Sequence, residues 1–493
     1  MDRATAEAEH EARWWSLEPR PGETLRVALE RTLRTAILAG ALREGVALPA
    51  SRVLARDLGV SRGVVCDAYE QLASQGLLIA RSRAVPVVAA AARPDRQPAP
   101  PVTPPVAPRF DLTPTTPDVT LFPLARWLAA VQRSARRAGR QVLDYRDPRG
   151  ELILRQLLAD RLGRTRGVTA EPAQIVVTQG TAQSLELVLR SLRSLGATHV
   201  AVEDPSQTAL HERVIATGLA LVAQRTDGEG VVVDGLAAGA VVVTPAHQFP
   251  TGSVLSGERR RQLLAWARAT GGLIVEDDYD AEFRYDREPV RALQGLAPDH
   301  VIQIGTVSKT LAPALRLGWL VVTPELIDQV ARHKRLVDDF SPSLTQLALA
   351  ELIARGDYDR HLRRARAAYA ARRERMLAAL QQHLPECPVT GAAAGVHVVL
   401  RLPASVDDRL IASQAKLARI SVPALSSFAI RPSGQRGLVI GYGRLHESAV
   451  AAAVRELARL VRPHLVAGSP SRACGAGERS RGFAFRRVAG PGS

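Results

Sequence analysis

Cysteine is scarce in this chain of 493 residues: Cys66, Cys387 and Cys474 are its only thiols, and their spacing matches no zinc-ligand or redox motif. We therefore expect no disulfide. Long apolar runs are absent too, since no stretch approaches the roughly 18 to 20 residues that span a bilayer. Residues 1–11 are acidic, unlike the basic start of a secretory leader. These absences indicate a soluble protein that stays in the cytoplasm.

Lysine is equally scarce, because only Lys309, Lys334 and Lys416 stand among 65 lysine and arginine residues. Arginine stays protonated and forms no imine, whereas a lysine amine can react once it is neutral. A single lysine is ordinarily a solvated surface charge. The residues around Lys309 nevertheless favour a chemical role for it, as the motifs below show.

The formal net charge of +16 is compatible with nucleic-acid binding, but basic and acidic residues nearly balance in the first 90 residues, so the charge supports DNA binding only weakly. A segment rich in proline and alanine between residues 89 and 108 can build neither a core nor a helix and is typical of an extended linker. We predict a small domain at 15–88, a linker at 89–109, a large domain at 110–465 and a disordered basic tail at 466–493.

The large domain alternates short apolar runs with amphipathic helical patterns. Such runs are typical of buried strands in a mainly parallel sheet. The predicted strands are 175–178, 200–202, 240–243, 273–275 and 301–304. Long helical patterns after residue 340 lead to a further strand at 396–400. We predict an α/β fold with a smaller C-terminal α+β lobe and with ligands at the carboxyl ends of the parallel strands.

The small domain carries three helical patterns, of which the second and third are joined by Gly59 and Val60 and form a helix-turn-helix. We predict that Ser51 and Ser61 cap these two helices. The second helix of such a unit enters the major groove with its first residues, and an arginine there can hydrogen-bond a guanine. The candidate DNA-binding residues are Ser51, Arg52, Ser61, Arg62 and Gly63. Periodicity alone fits a three-helix packing module without a ligand equally well.

Three motifs of the large domain point to one cofactor. A strand that runs into Gly180 and Thr181 and then into a helix places backbone N–H groups where a phosphate binds. Asp277, at the end of a later strand, can keep a pyridine nitrogen protonated, and Tyr279 can hydrogen-bond the ring oxygen. Around Lys309, a phosphate dianion would suit the hydroxyls and guanidinium of Thr306, Ser308 and Arg316. The combination predicts pyridoxal 5′-phosphate, and a metal site is the competing interpretation of the acids at 276–282.

Residues 21–80, with Leu48-Pro49-Ala50-Ser51-Arg52 and Ala68-Tyr69-Glu70-Gln71-Leu72, resemble a GntR-type winged helix. Residues 110–463, with 245–252 (PAHQFPTG), 276–285 and 308–310 (SKT), resemble fold-type I aminotransferases. The whole architecture looks like the MocR/PdxR-type transcriptional regulators. This resemblance implies a winged helix-turn-helix fused to a domain that binds pyridoxal phosphate.

The resemblance also implies roles by position. Lys309 would form the Schiff base, Asp277 would pair with the pyridinium, and Tyr279 would face the ring oxygen. The residues that would hold the phosphate are Gly180, Thr181, Thr306, Ser308 and Arg316. Tyr145 looks like the tyrosine that reaches the phosphate of the partner subunit, which implies a homodimer.

Departures from the family pattern bear on both functions. The turn of the wing, usually Gly-x-Gly, contains Arg81 and Arg83 instead, which would contact the DNA backbone. The residue that stacks on the cofactor ring in the family is Gln207, which has no ring. The arginine that holds a substrate carboxylate falls on Leu438.

Without that anchor an amino-acid substrate is poorly oriented for transamination. We therefore expect a transcriptional regulator, not an enzyme, whose large domain senses pyridoxal phosphate or an amino compound that reacts with it. An aminotransferase that carries a DNA-binding domain is the alternative, and a scaffold in which Lys309 stays unmodified is the third hypothesis. We expect operator DNA as a partner, and no metal and no membrane.

Overall fold

The computed structural model describes residues 17–79, 84–90, 107–286, 290–391 and 393–467. Most of the predicted linker at 89–109 and all but two residues of the predicted tail at 466–493 lie outside the described residues. The chain divides into two compact units, residues 1–105 and residues 106–493. Within the described ranges, no helix has the length and apolar character needed to cross a membrane.

In its described residues, the N-terminal unit contains three helices and a two-stranded antiparallel ribbon. Their bounds are α1 Leu25–Leu38, α2 Ser51–Asp57, α3 Arg62–Ser74, β1 Leu78–Ile79 and β2 Val87–Val88. Leu29, Leu33, Leu54, Val65 and Leu72 meet in its core, each at most 3% exposed. This core fixes the angle between α2 and α3.

The turn between α2 and α3 is tight because Gly59 has a left-handed φ of 67°. Ser61 caps α3 as predicted, since its hydroxyl accepts a hydrogen bond from the Val64 N–H at 3.4 Å. The predicted cap at Ser51 is wrong. The carbonyl of Ala50 accepts the first helical hydrogen bonds, from Val53 and Leu54, so Ser51 already lies inside α2.

The C-terminal unit is built on an eight-stranded sheet with the order β4-β11-β10-β9-β8-β5-β6-β7. The strand bounds are β3 Phe110–Asp111, β4 Ile175–Thr178, β5 His199–Asp204, β6 Ala220–Asp227, β7 Gly230–Val231, β8 Ala240–Val243, β9 Leu273–Asp278, β10 Val301–Thr306 and β11 Gly318–Val321. Strands β6, β5, β8, β9 and β10 pair in parallel. Strand β11 is antiparallel to both β10 and β4, so β4 runs in the same direction as the parallel strands.

Helices cover both faces of this sheet, as the nearly continuous apolar strands require. The helix bounds are α4 Leu124–Ala138, α5 Leu152–Arg166, α6 Thr181–Ser194, α7 Thr208–Ala216, α8 Gly257–Thr270, α9 Ile327–Asp338, α10 Ser343–Ala354, α11 Asp357–His383, α12 Asp408–Leu417 and α13 Val450–Ala467. The long helix predicted after residue 340 is α11.

A smaller sheet of three antiparallel strands completes the C-terminal lobe. The remaining strands are β12 Val389–Thr390, β13 His397–Leu402, β14 Ile420–Ser421 and β15 Arg436–Gly441, and β14 pairs in parallel with β3. Strands β13 and β15 share one apolar face with α11 and α13. The predicted fold class, a mainly parallel α/β sheet with a smaller α+β lobe, is confirmed.

Candidate functional site

The candidate site lies where several strands of the large sheet end together. Because β4, β5, β8, β9 and β10 run in one direction, the segments that follow them meet at one edge. These segments carry Gly180, Gln207, His247 and Lys309, and Asp277 is the next-to-last residue of β9, at the same end. This is the edge at which open α/β sheets bind ligands.

Gly180 and Arg316 form one side of the site. Gly180 has a φ of 88° and caps α6, and a Cβ added to it would lie 3.5 Å from the Arg316 guanidinium. Gly318 packs against the backbone of Gly180. Thr306 pairs with Gly318 in the sheet, so Thr306 also lies near Gly180. The Thr306 hydroxyl donates to Ser308 Oγ at 3.0 Å. The N–H groups at the start of α6 and an exposed guanidinium together suit an anion.

Asp277 forms the floor of the site and is half-buried, with its Oδ1 atom closed off from solvent. Its Oδ1 has no hydrogen-bond partner, and burial followed by repulsion from Asp278 raises the pKa of its carboxyl group to about 7. Asp277 lines a small cavity with Glu203, Gln207 and Phe249, so the predicted position of Gln207 beside the ring site fits the geometry. A buried carboxylate without a partner is costly. A protonated ring nitrogen would complete it.

Lys309 is half-buried beside these acids. Desolvation lowers the pKa of its amine, while Asp280 and Asp277 oppose that shift. A lowered pKa increases the fraction of neutral, nucleophilic amine. The other two lysines differ: Lys334 is fully buried in an ion pair with Asp338, and Lys416 is exposed.

The two predicted tyrosines occupy different surroundings. Tyr279 is buried, and its hydroxyl donates to the His247 carbonyl oxygen at 3.0 Å. Burial and the charge of Asp280 raise the pKa of this phenol well above its usual value. Tyr145 is 85% exposed and contacts only the edge of the Phe340 ring, with centroids 6.0 Å apart. An exposed tyrosine at this edge is available to a second subunit.

The acids of β9 have separate partners, which bears on the competing metal interpretation. Glu276 accepts hydrogen bonds from the backbone of Leu293 and Gln294. Asp278 pairs with the buried guanidinium of Arg166 at 2.7 Å. These acids therefore do not converge on one cation.

Sequence reasoning missed a buried group that we call the histidine cluster: His247, Asp280 and His397. His247 Nδ1 lies 2.8 Å from Asp280 Oδ2, and the two imidazole centroids are 4.7 Å apart. The two histidines are too far apart in the chain for any spacing motif. Only the meeting of β13 with the loops after β8 and β9 brings them together.

The expectation that Leu438 stands at the substrate-binding position is wrong. Its side chain packs in the core of the lobe, on the face of β15 that it shares with Ile440. Val439 lies on the opposite face and packs with Phe428, which contacts Phe249 of the cavity at 5.0 Å between centroids. Position 439 is therefore the one that faces the site. It too is apolar, so neither Leu438 nor Val439 supplies a guanidinium.

In the N-terminal unit, the start of α3 is open. Ser61, Arg62 and Gly63 are exposed, as is Arg52, whereas Ser51 is half-buried. The Arg62 Nε donates to Ser51 Oγ at 3.4 Å, which joins the starts of α2 and α3 into one polar surface. The predicted wing contacts of Arg81 and Arg83 lie outside the described residues.

Two family models match the chain. Residues 25–86 match bacterial regulatory proteins of the gntR family, and residues 115–441 match aminotransferase class I and II. Three relatives cover most of the chain. An uncharacterized HTH-type transcriptional regulator, YhdI of Bacillus subtilis, is 33% identical over 84% of this chain and 91% of its own length.

Two further relatives are named for regulatory roles. The probable rhizopine catabolism regulatory protein MocR of Rhizobium meliloti is 31% identical over 84% of this chain and 89% of its own length. The HTH-type pyridoxine biosynthesis transcriptional regulator PdxR of Corynebacterium glutamicum is 32% identical over 90% of this chain and 98% of its own length.

Solved structures match the C-terminal unit. An archaeal alanine:glyoxylate aminotransferase is 26% identical with a TM-score of 0.67, over 72% of this chain and 91% of its own. A second structure is LysN, an α-aminoadipate aminotransferase of Thermus thermophilus complexed with N-(5′-phosphopyridoxyl)-L-leucine. It is 25% identical with a TM-score of 0.66, over 73% of this chain and 93% of its own.

Proposed function

Because this chain belongs to the MocR/PdxR-type family of helix-turn-helix transcriptional regulators with an aminotransferase-like domain, we propose that pyridoxal 5′-phosphate is the signal that its large domain receives. The observation that carries the proposal is Asp277, a half-buried residue whose buried Oδ1 has no hydrogen-bond partner, beside the single half-buried lysine. The proposed domain limits remain 15–88 for DNA binding and 110–465 for the cofactor.

The residues at the sheet edge divide the work of holding the cofactor. The Gly180 turn, the start of α6 and Arg316 bind the phosphate, with Thr306 and Ser308 beside them. Asp277 pairs with the ring nitrogen and Tyr279 lies near the ring oxygen. Lys309 provides the amine for covalent attachment. The cofactor supplies an electron-withdrawing ring and an aldehyde that reacts with primary amines.

The regulator hypothesis is favoured over an aminotransferase by β15. Neither Leu438 nor Val439 provides a cation for a substrate carboxylate, and the Arg436 guanidinium donates to the carbonyl oxygen of Ser433. Gln207 lies where an aromatic ring would stack on the cofactor. An amino compound that lacks a carboxylate therefore suits this pocket as an effector better than an α-amino acid. Transamination on the order of 1 s⁻¹ or faster would contradict this assignment.

The site is completed by a second copy. Tyr145 and Leu143 are 85% and 76% exposed, and Leu336 is 73% exposed on the helix that leads to Phe340. Since the Tyr145 and Phe340 rings are in contact, these apolar side chains share one region of the surface. Exposed apolar groups in one region mark an interface. A two-fold dimer places two DNA-binding domains on two half-sites.

The test is a binding titration of the full-length protein against the DNA that flanks its own gene, with and without pyridoxal phosphate. We expect the cofactor to change the apparent affinity by about 5-fold or more, the usual range of coupling between two sites. Lys309→Ala should lose this response while Lys416→Ala, a change at an exposed lysine, should keep it. Equal affinities with and without the cofactor in the unaltered protein would refute the proposal.

A further inference from the structure

The histidine cluster is buried in the C-terminal unit, and Lys309 is close enough for its charge to act on His397. His247, Asp280 and His397 are 1%, 2% and 0% exposed. Each comes from a different segment: the loop after β8, the turn after β9 and the first residue of β13. One ligand atom from each side chain lies within 4.8 Å of the other two.

Two of the ring nitrogens have no partner. His247 Nε2 and His397 Nδ1 are buried and make no hydrogen bond. A buried polar atom that is left without a partner destabilises the fold. Protonating His247 does not remove the cost, because a protonated Nε2 still finds no acceptor. The arrangement is therefore incomplete as an ordinary histidine–aspartate pair.

The tautomer of His397 is set by its other nitrogen. His397 Nε2 lies 3.2 Å from the Pro250 carbonyl oxygen, which can only accept, so Nε2 carries the proton. Nδ1 is then left with a free lone pair. Burial, the neighbouring His247 and Lys309 hold the pKa of His397 well below its usual value, so the ring stays neutral. Metal-binding histidines commonly donate their second N–H to a backbone carbonyl in this way.

We propose that His247, Asp280 and His397 bind a divalent transition-metal cation, for which Zn²⁺ is the natural probe. Tetrahedral bonds of about 2.1 Å place two zinc ligands about 3.4 Å apart, so ligand atoms that lie up to 4.8 Å apart must approach by at most about 1.4 Å when the ion binds. Two imidazoles and one carboxylate favour zinc and its neighbours over Mg²⁺ and Ca²⁺, which prefer oxygen ligands. Three protein ligands leave a further position for water.

Gly395 keeps the space beside the cluster free. A Cβ added there would lie 2.3 Å from His247 Cε1 and 2.4 Å from Asp280 Oδ2. Any larger residue would push these two ligands apart. Glycine at this position therefore keeps the imidazole and the carboxylate within coordinating distance.

The experiment measures metal content of the full-length protein. The protein is stripped with a chelator, dialysed against micromolar Zn²⁺ in excess Mg²⁺, and analysed by mass spectrometry for bound metal. We expect about one Zn²⁺ per chain, and at least a tenfold loss of affinity in His397→Phe and Asp280→Asn. His199→Gln alters an exposed histidine at the opposite, amino end of β5 and should keep the metal.

Co²⁺ keeps the proposal testable if a cluster variant fails to fold, because its spectrum is read in proteins that retain all three ligands. A ligand-field spectrum typical of nitrogen and oxygen ligands is expected in Lys309→Ala, which cannot attach pyridoxal phosphate covalently. Metal binding there would stand even if the cofactor assignment failed. Failure of the unaltered chain to retain Zn²⁺, or equal retention by both cluster variants, would overturn the site.

Discussion

At the scale of single residues, Asp277 and Lys309 depend on each other's charge. Burial raises the pKa of one and lowers the pKa of the other, and each charge opposes the shift of its neighbour. A cationic ligand group that pairs with Asp277 offsets the cost of burying its carboxylate. Cofactor binding should therefore stabilise the fold as well as occupy the site.

Asp277→Asn should change how stability depends on pH in the cofactor-free protein. The pKa of Asp277 is about 7 when folded and has an ordinary value of 3.8. The folded state thus holds a proton that the unfolded chain loses, and the stability of the unaltered protein falls as the pH rises from about 5 to 7. The asparagine side chain does not titrate, so between pH 5 and 7 the free energy of unfolding of the variant should rise relative to that of the unaltered protein by on the order of 2 kcal/mol.

Thermal unfolding at the two pH values measures this gain. Asp299→Asn, at an exposed aspartate, serves as the control. A pH dependence of Asp277→Asn that runs parallel to that of the unaltered protein would argue against a buried, protonated carboxyl group. The variant should also lose at least tenfold in affinity for pyridoxal phosphate, because an amide cannot form an ion pair with the ring nitrogen.

Arg62→Ala should weaken specific DNA binding by about 1 to 3 kcal/mol, because a bidentate contact to guanine has that value. Arg43→Ala removes an exposed arginine from the same unit, away from the start of α3, and is the control. Fluorescence anisotropy with operator DNA and with a scrambled duplex measures both. An equal loss on the two duplexes would assign Arg62 to phosphate contacts alone.

At the scale of elements, α6 has a functional end and a structural end. Gly180 precedes the helix and Gly196 follows it, each with a φ of 88°. Alanine at either position should cost about 1 to 3 kcal/mol of backbone strain. Only Gly180 adjoins Arg316, whereas an added Cβ at Gly196 meets nothing within 4 Å.

The prediction is that Gly180→Ala weakens binding of pyridoxal phosphate at least tenfold, while Gly196→Ala leaves it unchanged. Isothermal titration calorimetry gives the affinities, and thermal unfolding checks that both variants lose comparable stability. If the two variants bind alike, the helix N-terminus is not the phosphate site.

Elements also show how far sequence reasoning reaches. The apolar runs located β4, β5, β8, β9 and β10 but missed β6, which pairs in parallel with β5. Strand β9 also continues through Asp278, because its backbone stays paired with β10, a contact that no local pattern reveals. The cap at Ser51 was assigned by residue type, and the first helical hydrogen bonds decide otherwise. At β15 the predicted alignment was shifted by one residue, to Leu438 instead of Val439. Because successive side chains of a strand point to opposite faces, this shift placed the predicted position on the wrong face. The histidine cluster has no local signal at all.

At the scale of the whole molecule, we propose that a dimer links the cofactor site to DNA binding. Leu336→Arg should dissociate it, because a buried guanidinium without a partner is costly at an interface. Leu417→Arg places the same charge on a leucine that is 86% exposed in α12 and serves as the control. Sedimentation velocity measures the result. A dimer that persists in Leu336→Arg would place the interface elsewhere.

The three lysines give the molecule an unusual spectroscopic property. Isotopic labelling of lysine side chains alone would produce three signals from a 53.0 kDa chain, few enough to resolve by nuclear magnetic resonance. Two of these signals would serve as internal references. Lys334 is buried in an ion pair with Asp338, and Lys416 is exposed to solvent. The third signal would then report directly, in the intact protein on DNA, on the protonation and occupancy of Lys309.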